Sequence, residues 1–104
     1  MSSPSRVVLL TPEAQDDFEA IRLYTRQEWG EQQEAIYQAA ILQALATLGE
    51  NPALGRPRRD LVADLRVYPV RQHLVYYRVA EEAVLVVRIL HGRMDARRAL
   101  GEPS

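Results

Sequence analysis

Between Pro12 and Leu48 the chain carries two long helix-forming runs separated by a single glycine, Gly30. A connection that short forces the two helices to fold back on each other as an antiparallel pair. The first begins at Thr11-Pro12-Glu13, with Thr11 placed to cap, Pro12 at the first helical position and Glu13 complementing the helix dipole. Ala14, Phe18, Ile21, Thr25 and Trp29 then recur at three- and four-residue spacing on one face. The second runs from Glu31 to about Leu48 and carries two stripes: Tyr37, Ile41, Leu45 and Leu48, and beside them Ala35, Ala39, Leu42 and Ala46. Gly49 reads as its C-cap, and Pro52 forbids resumption. Two stripes are more apolar surface than one packing contact requires.

The rest of the chain reads as strand and loop. Arg6 to Leu10 is a β-branched and leucine run too short for a helix. Glu50 to Asp64 is dominated by proline, glycine and charge and reads as a loop bearing the basic patch Arg56, Arg58 and Arg59. Leu65 to Val70, His73 to Val79 and Val84 to His91 follow as strands, the last two joined by the hairpin connection Ala80 to Ala83. Asp95 to Leu100 suits one helical turn against the sheet. The order β-α-α-β-β-β puts an antiparallel helical hairpin on one face of a small, mostly antiparallel sheet, an α+β arrangement, and leaves the other face uncovered. At 104 residues this is one domain, residues 1–104, with residues 1–5 and 101–104 expected to fray.

Composition removes several kinds of chemistry. There is no cysteine, hence no disulfide framework, thiolate nucleophile or cysteine-based zinc site, and a reducing, cytoplasmic setting suits the chain. No run approaches the roughly 18 apolar residues of a membrane helix, so no membrane role is expected. Ser2, Ser3, Ser5 and Ser104 all lie in the ends, where nothing holds a nucleophile in place. His73 and His91 have no metal-ligand spacing around them, and no glycine-rich phosphate loop follows the first strand, so no metal, nucleotide or other cofactor is expected. Charge is uneven: residues 1–50 hold eight acids and three arginines, net −5, and residues 51–104 hold ten arginines and six acids, net +4. Every basic residue is arginine, which matches a GC-rich genome and also supplies planar forks for carboxylates or phosphates.

Acid–base chemistry without metal stays open on these residues. His91 supplies an imidazole, the side-chain type suited to proton transfer, and Arg93, Arg56 and Arg66 carry charge that would balance a phosphate. The plainer reading is that His91 and Gly92 turn the chain at a strand end and the arginines are solvated or salt-bridged. Trp29 either caps the helical hairpin or anchors a partner at its tip. Tyr76 and Tyr77, adjacent on one strand, face opposite sides, one toward the core and one toward the open face.

The runs LGRPRRDLVADLRVYPV, HLVYYRV and VLVVRILHGRMD, with the opening VVLLTPEAQDDFEAI, resemble the ParE toxins of the bacterial RelE/ParE toxin–antitoxin superfamily over nearly the whole chain. The matching features are Thr11-Pro12, Phe18 with Ile21, Gly55-Arg56-Pro57, Leu65-Arg66, Tyr77-Arg78, and Arg88 to Gly92 with Asp95. The resemblance implies a compact toxin neutralised by a ParD-like antitoxin in a heterotetramer or larger assembly. It further implies poisoning of DNA gyrase and a block to replication, with no specific DNA binding by the toxin alone. RelE-like relatives instead cleave mRNA on the ribosome, and for that branch His91, Arg93, Arg66 and Arg56 are the candidate set. MDARRAL supplies no tyrosine and the chain no lysine, so a noncatalytic gyrase inhibitor is the favoured expectation. Target-binding candidates are then Arg56, Arg58, Arg59, His91 and Arg93. Antitoxin-binding candidates are Trp29, Tyr37, Ile41, Leu45, Tyr76 and Tyr77.

Overall fold

The computed structural model describes residues 5–100, so the expected fraying at residues 1–4 and 101–104 lies outside them. The elements are β1 (Val7–Leu10), α1 (Pro12–Trp29), α2 (Glu31–Glu50), β2 (Arg56–Pro57), β3 (Arg66–Val70), β4 (His73–Val79), β5 (Ala83–His91) and α3 (Ala96–Ala99). The strands form one sheet in the order β1-β5-β4-β3-β2. Every pairing is antiparallel except β1 with β5, which runs parallel with Val7 opposite Ala83 and Leu10 opposite Val86. Among the described residues no helix is long and apolar enough to cross a membrane.

The helical hairpin forms as its spacing dictates. The Thr11 hydroxyl accepts from the Ala14 N–H at 3.1 Å and donates to the Val87 carbonyl at 2.9 Å, so the N-cap of α1 is also a stitch to β5. Gly30, at φ 93°, occupies the left-handed region between the helices, where a side chain would be strained. One stripe of α2 (Ile41, Leu45, Leu48), with Ala14 and Ala44, packs on Val70, Val75, Tyr77, Val84, Val86 and Ile89 of the sheet.

Three expectations need correction. The loop after α2 contains a 3₁₀ turn at Pro52–Leu54 and the two-residue edge strand β2, so the sheet has a fifth, very short strand. Gly49 is not a C-cap: α2 continues to Glu50, and Gly49 lies where the helix crosses the chain entering β1. A Cβ there would come within 2.9 Å of the Arg6 carbonyl and 3.0 Å of Val8 Cγ2, while the Arg6 N–H donates to the Gly49 carbonyl at 2.9 Å. Nor is the second sheet face left open. Leu65, Val67, Tyr76 and Leu90 form a second buried cluster covered by Leu61 of the 58–65 loop and by Ala96, Ala99 and Leu100. This cover stops short of β1, where Val7 and Leu9 remain exposed.

The adjacent tyrosines alternate and are both buried because each sheet face has its own cover, and the partner strand bulges opposite them. The register steps from Tyr76 opposite Arg88 to Tyr77 opposite Val86, which leaves Val87 as the extra residue on β5. Val84, Val86 and Ile89 therefore all reach the helical face, while Val87 and Leu90 reach the other. Tyr77 enters the helical core, with its hydroxyl donating to the Pro52 carbonyl at 2.6 Å and accepting from the Gly55 N–H at 2.8 Å.

Beyond Leu10, β5 has no strand on its β1 side, and α1 takes over that edge. The Thr11 N–H donates to the Val86 carbonyl at 3.0 Å. Asp17 accepts from the Ile89 N–H at 2.9 Å and from the Arg88 guanidinium at 2.7 and 2.9 Å. Arg88 in turn donates to the Ala99 carbonyl at 2.9 Å, so one ion pair ties α1, β5 and α3 together.

Gly49→Ala tests the helix crossing. The clash should lower unfolding free energy by about 1–3 kcal/mol in urea titration, because backbone and a β-branched methyl must both give way. An unchanged urea midpoint would show that the approach is not tight.

Candidate functional site

At the end of the sheet where β3 turns into β4, the helical hairpin tip leaves a cleft of about 510 Å³. Trp29 and Tyr24 of α1, Tyr37 of α2, Arg71 in the turn, His73 opening β4 and His91 closing β5 line it. His73 and His91 are direct cross-strand partners with edge-on rings 5.3 Å apart. Tyr37 meets His73 edge-on at 5.4 Å, and its hydroxyl bonds His73 Nδ1 at 2.5 Å. The same hydroxyl oxygen accepts from the Gln72 N–H at 3.2 Å. His91 Nδ1 accepts from the Arg93 N–H at 3.1 Å, which leaves the proton of its neutral ring on Nε2.

Electrostatics at this end favour a neutral His73. Burial holds its ring below the usual imidazole range, His91 pushes the same way, and Asp17 opposes both. Burial likewise raises the Tyr37 phenol above its ordinary value, against the Gln72 N–H and the Arg71 charge. The Arg71 guanidinium lies 5.9 Å from the centroid of the Tyr37 ring. No group of three or more metal-ligating side chains occurs among the described residues.

The residues singled out from sequence fall into separate places. His91 and Arg93 are at the cleft end of the sheet. Arg66 opens β3 at the opposite end, about 13 Å of strand from Val70, and one terminal nitrogen of its guanidinium donates to the Ala53 and Gly55 carbonyls. Arg56 sits beside that end on β2, exposed. The four-residue nuclease set is thus not brought together. Arg58 pairs with Asp60 through two bonds of 2.9 Å, holding that carboxyl down at about 2, and Arg59 is exposed.

The partner-facing candidates also divide. Trp29 is 72% exposed and Tyr37 is half-buried. Ile41, Leu45, Tyr76 and Tyr77 are buried in the two cores, so in this fold they present no surface to a partner. What α2 exposes instead is the second stripe, Ala35, Ala39, Leu42 and Ala46. Sequence reasoning missed Arg71 and Tyr24. The signal for Arg71 is the two-residue loop Arg71-Gln72 between two strand-like runs; for Tyr24 there is none beyond its being an aromatic off the packing stripe.

The His73 environment gives a pH dependence with a definite sign. A histidine depressed in the folded state is protonated more readily when unfolded, so stability falls as pH drops below about 6.5 and levels off under the folded-state value. The melting temperature should decline between about pH 7.5 and 5.5, and His73→Gln should flatten that part of the curve. The Arg58–Asp60 pair titrates well below this window.

Comparison with known proteins places this geometry. The family model described as the ParE toxin of the type II toxin–antitoxin system parDE matches residues 8–96. Toxin ParE1 of Caulobacter vibrioides is 35% identical over 92 residues, covering 88% of this chain and 95% of that one. Toxin ParE of Escherichia coli is 37% identical over 95 residues, covering 90% and 92%. Among solved structures, a chain of the chromosomal ParDE system of Pseudomonas aeruginosa superposes with a TM-score of 0.73 at 19% identity, covering 86% of this chain and 98% of that one. A chain of the toxin–antitoxin complex RelBE2 from Mycobacterium tuberculosis gives 0.63 at 20%, covering 85% and 99%. These two likenesses concern the fold alone.

Proposed function

The chain belongs to the ParE toxin family of type II toxin–antitoxin systems, and from that premise we propose that it arrests growth by binding DNA gyrase and blocking replication in the cytoplasm, breaking no bond itself. The observation that supports a binding mode over an mRNA-cleaving one is the dispersal of the basic set: Arg56 and Arg66 lie at the opposite end of β3 from His91 and Arg93. In-line attack by a ribose hydroxyl needs a base, an acid and a phosphate clamp converging on one phosphorus. Arg66, held by two backbone carbonyls, has no reach to such a point.

The experiment runs two assays in parallel on the purified protein. Gyrase supercoiling should be inhibited, and mRNA on translating ribosomes should stay intact. Cleavage without supercoiling inhibition would establish the nuclease instead, and silence in both would mark an inactive toxin.

The antitoxin is a ParD-like protein that covers the exposed stripe of α2 in a heterotetramer or larger assembly. Ala35, Ala39, Leu42 and Ala46 form a strip along one helix, the shape an amphipathic partner helix fits. Leu42, 50% exposed, is the largest of them. Leu42→Glu should weaken antitoxin binding at least tenfold, the equivalent of roughly 1.4 kcal/mol, while leaving the melting temperature near that of the unaltered toxin. Calorimetric titration with the antitoxin checks it, and equal affinity would move the docking surface elsewhere.

A further inference from the structure

The cleft gathers imidazole, arginine and aromatic side chains. His91 Nδ1 accepts the Arg93 N–H, so its neutral ring keeps its proton on Nε2, and His73 Nδ1 is paired with the Tyr37 hydroxyl. Both rings line the cleft. No aspartate or glutamate lines it.

Arg71 sharpens the picture. It sits at φ 55°, the one non-glycine residue in the left-handed region among the described residues. It opens a two-residue turn closing Val70 on His73, a position where glycine or asparagine is the unstrained choice. Holding an arginine there strains the backbone. Its charge meets no carboxylate among the described residues and lies over Tyr37, facing the cleft. Opposite stand two largely exposed aromatic planes, Trp29 at 72% and Tyr24 at 63%.

We propose that this cleft binds a nucleotide, with the base stacked on Trp29 or Tyr24 and the phosphate held by Arg71 and the imidazoles of His73 and His91. A guanidinium and two imidazoles lining one cleft suit the several oxygens of a phosphate, and open aromatic faces take any base. A volume of about 510 Å³ falls among small-ligand sites. The nucleotide is either free or an unpaired unit of a strand; recognition by stacking and phosphate alone reads no sequence. This inference stands apart from the gyrase reading, and either can fail without the other.

Trp29 is the single tryptophan, so its fluorescence reports this cleft directly. The purified toxin is titrated with adenosine 5′-monophosphate, adenosine, inorganic phosphate and a short single-stranded oligodeoxyadenylate. Saturable quenching is expected with the monophosphate, the strand or both, with at least tenfold weaker half-saturation for adenosine or phosphate. Tighter binding of the strand assigns the site to nucleic acid, and equal or tighter binding of the monophosphate assigns it to free nucleotide. Arg71→Gly removes the charge and relieves the backbone, so it should unfold at the same or higher urea concentration yet bind at least tenfold more weakly. No saturable quenching at millimolar ligand, inorganic phosphate binding as tightly as the monophosphate, or undiminished binding by the folded Arg71→Gly protein would overturn the proposal.

Discussion

A single carboxylate closes the open side of the sheet. Where β1 stops, Asp17 accepts the Ile89 N–H that has no neighbouring strand to receive it, and holds Arg88 through two further bonds. Two charges at partly buried positions are favourable only when their remaining donors and acceptors are also used, and here they are: Arg88 spends a third bond on Ala99 of α3. The helical layer, the bulged strand and the terminal turn are thereby set relative to one another. The bulge at Val87 belongs to the same arrangement, since it aligns Arg88 with Tyr76 on the side where α3 lies while Ile89 enters the helical core.

Against that rigid corner, the far rim of the sheet holds the features that packing does not explain. A left-handed arginine, a cross-strand histidine pair and two exposed aromatic rings gather where the helical hairpin tip overhangs the β3–β4 turn. Strain and exposure of this kind survive in a fold when the surroundings over-determine them. Val70 paired with His73, and Gly92 donating to the Gln72 carbonyl at 2.9 Å, supply that constraint.

What could be read from the sequence was periodic or local. The helical hairpin, the Thr11 cap, strands β3 to β5 and the final helical turn each announce themselves within a few residues, because spacing and turn chemistry act at that range. What could not be read depends on contacts between distant segments. Gly49 looks like a helix stop until Arg6 is seen crossing it, and Asp17 looks like one more exposed acid on an acidic helix. Tyr76 and Tyr77 alternate as a strand must, but only the return of the 58–65 loop and α3 buries the second of them. The arginines of the second half share a sign and not a location, so charge counted along the chain gave no hint that Arg66 and Arg93 sit at opposite ends of the sheet.

The parallel pairing of β1 with β5 also sets a timetable. The first strand must wait for a partner 76 positions further on, Val7 for Ala83, before the core beneath the helices can close. Contacts that distant make folding slow, since the loop between them must be ordered first. A nascent chain, holding β1 and both helices but not yet β5, has neither the Asp17–Arg88 tie nor the cleft that His91 completes. A member of this toxin family thus acquires its finished surface only once β5 has been made.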